Sequence, residues 1–294
     1  MKTKSNIFLI LLLILSIPSC RKAPKKPKTC DIHYNTEDFF TIEANSNTIN
    51  RSFNVFCKKV DVFGIIIYAT KKVSDEHLLH TANILAQYLD NNEDSIIDNQ
   101  LILNSMLANN ACMTLYDKDK FCSEKKRHYN SLNKLNNPIF GQELYGNEIH
   151  PNFNLNNPFD ATLEEVLHLV THSGYSSAYP SVFGEYQGSQ LADAMDIARG
   201  GQFINIPSTY PSNAIYSYYD KTCDYGCQVT EYFYWALTSI LGIQNYAGRL
   251  DEIGNEWKAN TATLVQSMNP TVYSLLTDTS YHLPNSIPDG TYMR

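Results

Sequence analysis

The sequence predicts an α+β fold, predominantly helical with a minor sheet. Apolar residues recur at three- and four-residue spacing in several segments, as on one face of a helix. Glycine follows three of these segments, at Gly174, Gly200 and Gly242. One run, VFGIIIYA over 62–69, is rich in β-branched residues and reads instead as a buried strand.

In chain order, Ser74 is placed to cap a helix over 75–89, with Leu78, Leu79, Ala82, Leu85, Ala86 and Leu89 on its inner face. A second helix is expected over 99–108 and a short strand over 113–116. Residues 117–157 are polar, Asn-rich and read as irregular. Helices follow over 161–173, ending at Gly174, and over 189–199. Residues 201–219 read as loop. The longest apolar helix covers 229–241, and shorter ones cover 255–268 and 270–276. There is no internal repeat.

The first twenty residues have basic Lys2 and Lys4, then an aliphatic run, then Ile17, Ser19 and Cys20. That order is expected of a secretory signal with a lipobox-like end, in which Cys20 is acylated. Residues 21–29 are a basic, proline-containing tether, and 30–294 form a single globular domain, or two lobes over 30–157 and 158–294. The protein is therefore expected in the cell envelope or at the cell surface as a lipoprotein, or else secreted, with a membrane partner through the lipid. The chain has a formal charge of −7. Residues 1–28 carry seven cations and no acid, so the remainder holds 16 Lys and Arg against 30 Asp and Glu. An acidic domain excludes nucleic acid as a partner, because phosphate contacts need clustered cations.

Six cysteines remain besides Cys20. In an exported chain an even number points to disulfides. Of the many possible connectivities, local pairing is the expectation: Cys30–Cys57, Cys112–Cys122 and Cys223–Cys227. There is no C-x-x-C spacing to support a zinc–cysteine site, no G-x-S-x-G elbow, no phosphate loop and no dinucleotide fingerprint.

Two stretches point to cations. Asp90, Asn92, Asp94 and Asp98, with the Ile96 carbonyl, sit at positions 1, 3, 5, 9 and 7 of an EF-hand-type loop, which predicts weak structural calcium binding. Ser95 stands where that loop wants Gly, and Leu101 where it wants an acid; a solvated acidic turn explains the same residues. The second stretch is Thr162-Leu163-Glu164-Glu165-Val166-Leu167-His168-Leu169-Val170-Thr171-His172. On a helix Glu164, His168 and His172 form one stripe, a geometry able to hold a divalent metal. Some sixty residues later Glu231 is the only charge between Asp224 and Arg249, in an otherwise apolar helix. A buried carboxylate needs a partner: a metal shared with His168, or Arg199 or Arg249, or a proton. The competing readings are a Thr162–Glu165 capping box and solvated Glu164–His168 and His168–His172 pairs. Glu185 or Asp196 could orient His168 or His172 from outside the ligand set.

Glu164-Glu165-Val166-Leu167-His168 resembles the H-E-x-x-H helix of zincin metallopeptidases, with glutamate in place of the first histidine. The segment from Glu231 to Ala236 is similar to the later, glutamate-bearing helix of lethal-factor-like peptidases. The region from Phe159 to Ala236 also resembles an uncharacterised family of secreted proteins. The peptidase resemblance implies zincin-like core helices, zinc or another divalent transition metal on Glu164, His168 and Glu231, with His172 as a substitute ligand, Glu165 as general base and a peptide or protein substrate. Glutamate at 164 adds negative charge, which implies a weaker Lewis acid or a structural site. The alternative from another class is a non-catalytic surface binding protein stabilised by calcium and disulfides.

Overall fold

Lys58–Val62 (β2) and Ile65–Ala69 (β3) form an antiparallel hairpin that turns at Phe63-Gly64. Both turn residues have positive φ, 52° and 94°. That is the geometry of a tight hairpin turn whose twist matches the strands, and Asp61 Oδ1 closes it by accepting the Gly64 N–H at 2.7 Å. The single strand expected over 62–69 is therefore two. A break at Gly64 lets the apolar run fold back beside Lys58–Val62, which its charged residues had hidden. The structure is a computed structural model that describes residues 30–32, 38–46, 51–118, 139–151 and 159–292. Cys20, the signal segment, the tether and Cys122 lie outside the described residues.

Glu43–Ala44 (β1), β2, β3, Cys112–Tyr116 (β4) and Gly141–Tyr145 (β5) make one mixed sheet in the order β1-β2-β3-β4-β5. β1–β2 and β2–β3 are antiparallel; β3–β4 and β4–β5 are parallel. Between β3 and β4 the chain crosses over through Asp75–Leu89 (α1) and Gln100–Ala108 (α2). Ser74 caps α1 as expected, accepting the His77 N–H at 3.0 Å. Strand β5 falls where irregular chain was expected, because GQELY carries neither a β-branched run nor an apolar alternation.

The period of two divides the sheet. Ile65, Ile67, Ala69, Met113 and Leu115 face the helices, in the main core. Tyr68, Cys112 and Tyr116 face a small aromatic cluster with Phe53 and Phe56. Against the helical face lies Thr162–Val170 (α3), which packs on α1 and β5. Gln190–Arg199 (α4), Tyr225–Leu241 (α5), Ala262–Met268 (α6) and Pro270–Leu276 (α7) complete the helical layer. α5 starts earlier than its apolar run, since Asp224 accepts the Cys227 N–H at 2.9 Å and caps it. α6 is shorter than expected. Before it, Trp257 is buried and pairs with Tyr216 in an isolated bridge, so its chain is not free to be helix.

α3 does not end at Gly174. It runs on through a π-helical turn, Thr171–Tyr175. A Cβ on Gly174 would lie 2.6 Å from Ile102 Cγ2 of α2, so glycine there serves close packing rather than termination. The Cys30–Cys57 and Cys223–Cys227 disulfides are present. Cys112 is a free thiol, and Cys122, its expected partner, lies outside the described residues. Cys112 is buried against the aromatic cluster, which pushes its pKa up to about 12. The disulfides are compatible with an exported protein. Among the described residues no helix is long and apolar enough to cross a membrane.

Candidate metal centre

α3 brings Glu164 and His168 to one face by their four-residue spacing, and α5 lays Glu231 opposite. One ligand atom of each lies within 4.8 Å of the other two, and no other such group of three occurs among the described residues. His168 Nε2 is 3.7 Å from Glu164 Oε1 and 3.5 Å from Glu231 Oε2. Those gaps are too long for N–H···O hydrogen bonds, which cluster at about 2.7–3.2 Å. Neither ring nitrogen of His168, a side chain only 7% exposed, has a hydrogen-bond partner. A tetrahedral ion with bonds of about 2.0–2.1 Å spaces its ligand atoms roughly 3.3 Å apart. The separations would accommodate such an ion, and they are also ion-pair distances.

Of the competing explanations, the capping box fails on geometry, while Glu164 and His168 do lie at ion-pair distance. The N-cap residue of α3 is Ala161, which offers no side-chain cap. The Thr162 N–H goes to Asp160 Oδ1 at 3.1 Å, so the Thr162–Glu165 capping box does not form. Glu165 instead accepts a hydrogen bond from the Gln142 amide of β5. Arg199 is engaged by Asp196 and Gln228, and Arg249 by Gln244 and Glu252, so neither neutralises Glu231. Glu231 Oε1 accepts from the Tyr218 hydroxyl at 3.2 Å, and Tyr234 stands edge-on to His168 at 5.5 Å.

Electrostatics follow from this packing. Burial opposes charge on His168, but the carboxylates of Glu231 and Glu164 outweigh it and hold the imidazole well above the ordinary histidine range. Burial pushes the Glu165 carboxyl up to about 7; His168 and the Gln142 bond pull against it, while Glu164 and Glu231 add to it. A carboxylate titrating near neutrality suits a general base. A cleft of about 650 Å³ opens onto the centre, lined among others by Phe140, Gln142, His168, His172, Thr230 and Glu231.

His172 is not part of the ligand group. It lies at the start of the π turn, and its Nδ1 is 2.6 Å from Glu185 Oε2. Glu185 thus orients His172, while Asp196 bonds Arg199 and Tyr225 and orients neither histidine. Sequence reasoning missed Gln142, Tyr218 and Thr230. Gln142 carries no signal, and Tyr218 is one of twenty tyrosines.

The acidic loop closes on itself. Asp90 accepts the Asp94 and Ser95 N–H groups and the Tyr292 hydroxyl; Asp94 accepts from Ile96, Asn92 from Asp94, and Asp98 from Asn91. Glu93 and Ser95 take positive φ without glycine. Loop closure accounts for Asp90, Asn92, Asp94 and Asp98, and the carboxylates of Asp90, Asp94 and Asp98 do not converge within 4.8 Å as the metal centre does.

Compared with known proteins, the chain matches no family model, no curated protein and no solved structure.

Proposed function

We propose that this chain is a metal-dependent hydrolase of peptidase type, with Glu164, His168 and Glu231 as ligands and Glu165 as the base. The observation that carries the reading is the unbonded, buried imidazole of His168 set 3.5–3.7 Å from two carboxylates. The order of residues along the chain, E-E-x-x-H and then a glutamate on a later helix, supports a glutamate-type zincin-like site. Two carboxylates and one imidazole suit zinc or another divalent transition metal. The ion, when bound, would act as a Lewis acid toward a water and a carbonyl oxygen. Glu165 would take the proton of that water, Gln142 fixing the orientation of its carboxylate. Tyr218 holds Glu231 in place. The two disulfides and the lipobox-like start support work outside the cytoplasm, with Cys20 as a lipid anchor to the membrane.

Elemental analysis of the purified protein beside Glu231→Ala tests the centre. The wild type is expected to carry about one transition-metal ion per chain and the variant none. Glu165→Gln should keep the ion and lose peptide hydrolysis. Two folded proteins without a transition metal would end the proposal.

A further inference from the structure

The cleft holds a second acid–base group that the metal centre does not use. His172 lines it and its side chain is 46% exposed, against 7% for His168. Its Nδ1 is held by Glu185 Oε2 at 2.6 Å, and Glu185 Oε1 in turn accepts the Thr230 hydroxyl at 2.7 Å. Thr230 precedes Glu231 on α5, so the dyad is tied to a proposed ligand helix. The Phe140 ring lies 4.8 Å from the imidazole. With Nδ1 committed to Glu185, Nε2 is the nitrogen left for a substrate. A π turn inside a helix is itself frequent at functional sites, and this one carries His172.

We infer that His172 is a catalytic residue that protonates the leaving nitrogen of an amide substrate, and that Glu185 is its positioning residue. The inference rests on the hydrolase reading above. Other donors are engaged elsewhere: the Tyr218 hydroxyl serves Glu231, and no Lys, Arg or Tyr lines the cleft among the described residues. The acids that do line it, Glu185, Asp224 and Glu231, favour an amine that departs as a cation. In the step, the water oxygen bonds to the carbonyl carbon and the water proton passes to Glu165. The C–N bond breaks, its electron pair stays on nitrogen, and nitrogen takes the proton from Nε2 of the His172 imidazolium. The carboxylic acid product returns a proton to His172, and Glu165 gives its proton to the amine. Both residues are reset, and the products are a carboxylate and an ammonium.

A general acid matters for a poor leaving group and little for a good one. The test compares wild type, His172→Gln and Glu185→Gln on an internally quenched peptide library and on p-nitrophenyl acetate, with metal content measured in each. For His172→Gln the expected result is unchanged metal content, a loss of about 10²–10⁴-fold in kcat on peptides, and a far smaller loss on the ester. For Glu185→Gln it is a loss of about 10–100-fold in peptide kcat, at unchanged KM. Equal losses on both substrates, an undiminished peptide rate, or loss of the metal from His172→Gln would overturn the inference alone. A metal-loaded wild type that cleaves neither substrate would overturn the hydrolase reading with it.

Discussion

Glu165 and Gln142 meet across the seam between α3 and the edge strand β5, the Gln142 amide donating to Glu165 Oε2. The bond draws the carboxyl down while burial pushes it up, leaving it at about 7. Replacing Gln142 by Leu removes one of the lowering influences. The acid limb of the pH profile of kcat/KM should then move to higher pH, with metal content unchanged. A limb that stays in place would show that Glu165 is not the group whose ionisation is being read.

How much of this centre was legible follows from the kind of signal each residue gives. Glu164 and His168 are four apart on a strongly amphipathic segment, so sequence alone stacks them. Glu231 stood out as one charge in an apolar helix. Gln142 could not be found, because β5 is an edge strand whose sequence lacks an apolar alternation, and its register comes from pairing with β4. His172 lines the same cleft as His168, as the shared stripe led one to expect, but stands outside the group of three, bonded to Glu185. The strand Lys58–Val62 was missed because its charged residues mask Val60 and Val62, which are wholly buried.

The metal-free centre should make stability fall as pH rises. His168 is raised above its unfolded value near 6.5, so its contribution is full below that pH and is lost as pH climbs through the higher folded value. Glu165, raised from 4.5 to about 7, is favoured protonated in the fold, so it penalises the fold increasingly between those two values. Both effects run in one direction. Thermal unfolding in chelator should show Tm falling from pH 5 to pH 8, and Glu165→Gln should recover about 1–3 kcal/mol at pH 8. A flat profile would contradict the placement of both groups.

Proton competition makes the matching prediction for the ion. His168 must be neutral to ligate, and the two carboxylates that would share the ion also hold its proton. Below the raised pKa of His168, metal affinity should rise about tenfold per pH unit, one proton leaving for each ion bound. Competition titration against a chelator between pH 5.5 and 7.5 measures the slope. A slope of zero would mean that His168 does not bind the ion.

Gly174 should not tolerate a side chain. Its Cβ would lie 2.6 Å from Ile102 Cγ2 and 3.2 Å from Met106 Cγ, both on α2. Gly174→Ala should therefore cost about 1–3 kcal/mol by forcing α2 and the π turn apart. Because His172 rides on that turn and His168 on the α-helix before it, the variant should keep its metal while peptide turnover falls. Denaturant unfolding and metal content, taken together, separate this outcome from general collapse.

The start of α3 is fixed by a pair that the hydrolase chemistry does not touch. His80 Nε2 of α1 lies 2.6 Å from Asp160 Oδ2, with both residues buried. Asp160 Oδ1 also accepts the N–H groups of His150 and Thr162 at 3.1 Å. Burial alone would raise this carboxyl, but His80, Thr162 and His150 outweigh it and hold it below the usual range. Its contribution is therefore present above the unfolded value and lost as pH falls through the folded one. Removing one partner leaves the other buried and unpaired, so Asp160→Asn should cost about 3–5 kcal/mol. It should also weaken metal binding, since Glu164 sits on the first turn that Asp160 anchors. Glu231→Ala should lose the ion outright, and its cost to the metal-free fold should be smaller than that of Asp160→Asn and confined to the pH range in which His168 is protonated, because the partners of that carboxylate are the Tyr218 hydroxyl and the His168 imidazole. Unfolding in chelator and metal titration on the two variants give four numbers. The crossed pattern distinguishes a residue that builds the site from one that belongs to it, whereas parallel losses would mean that Glu231 is structural.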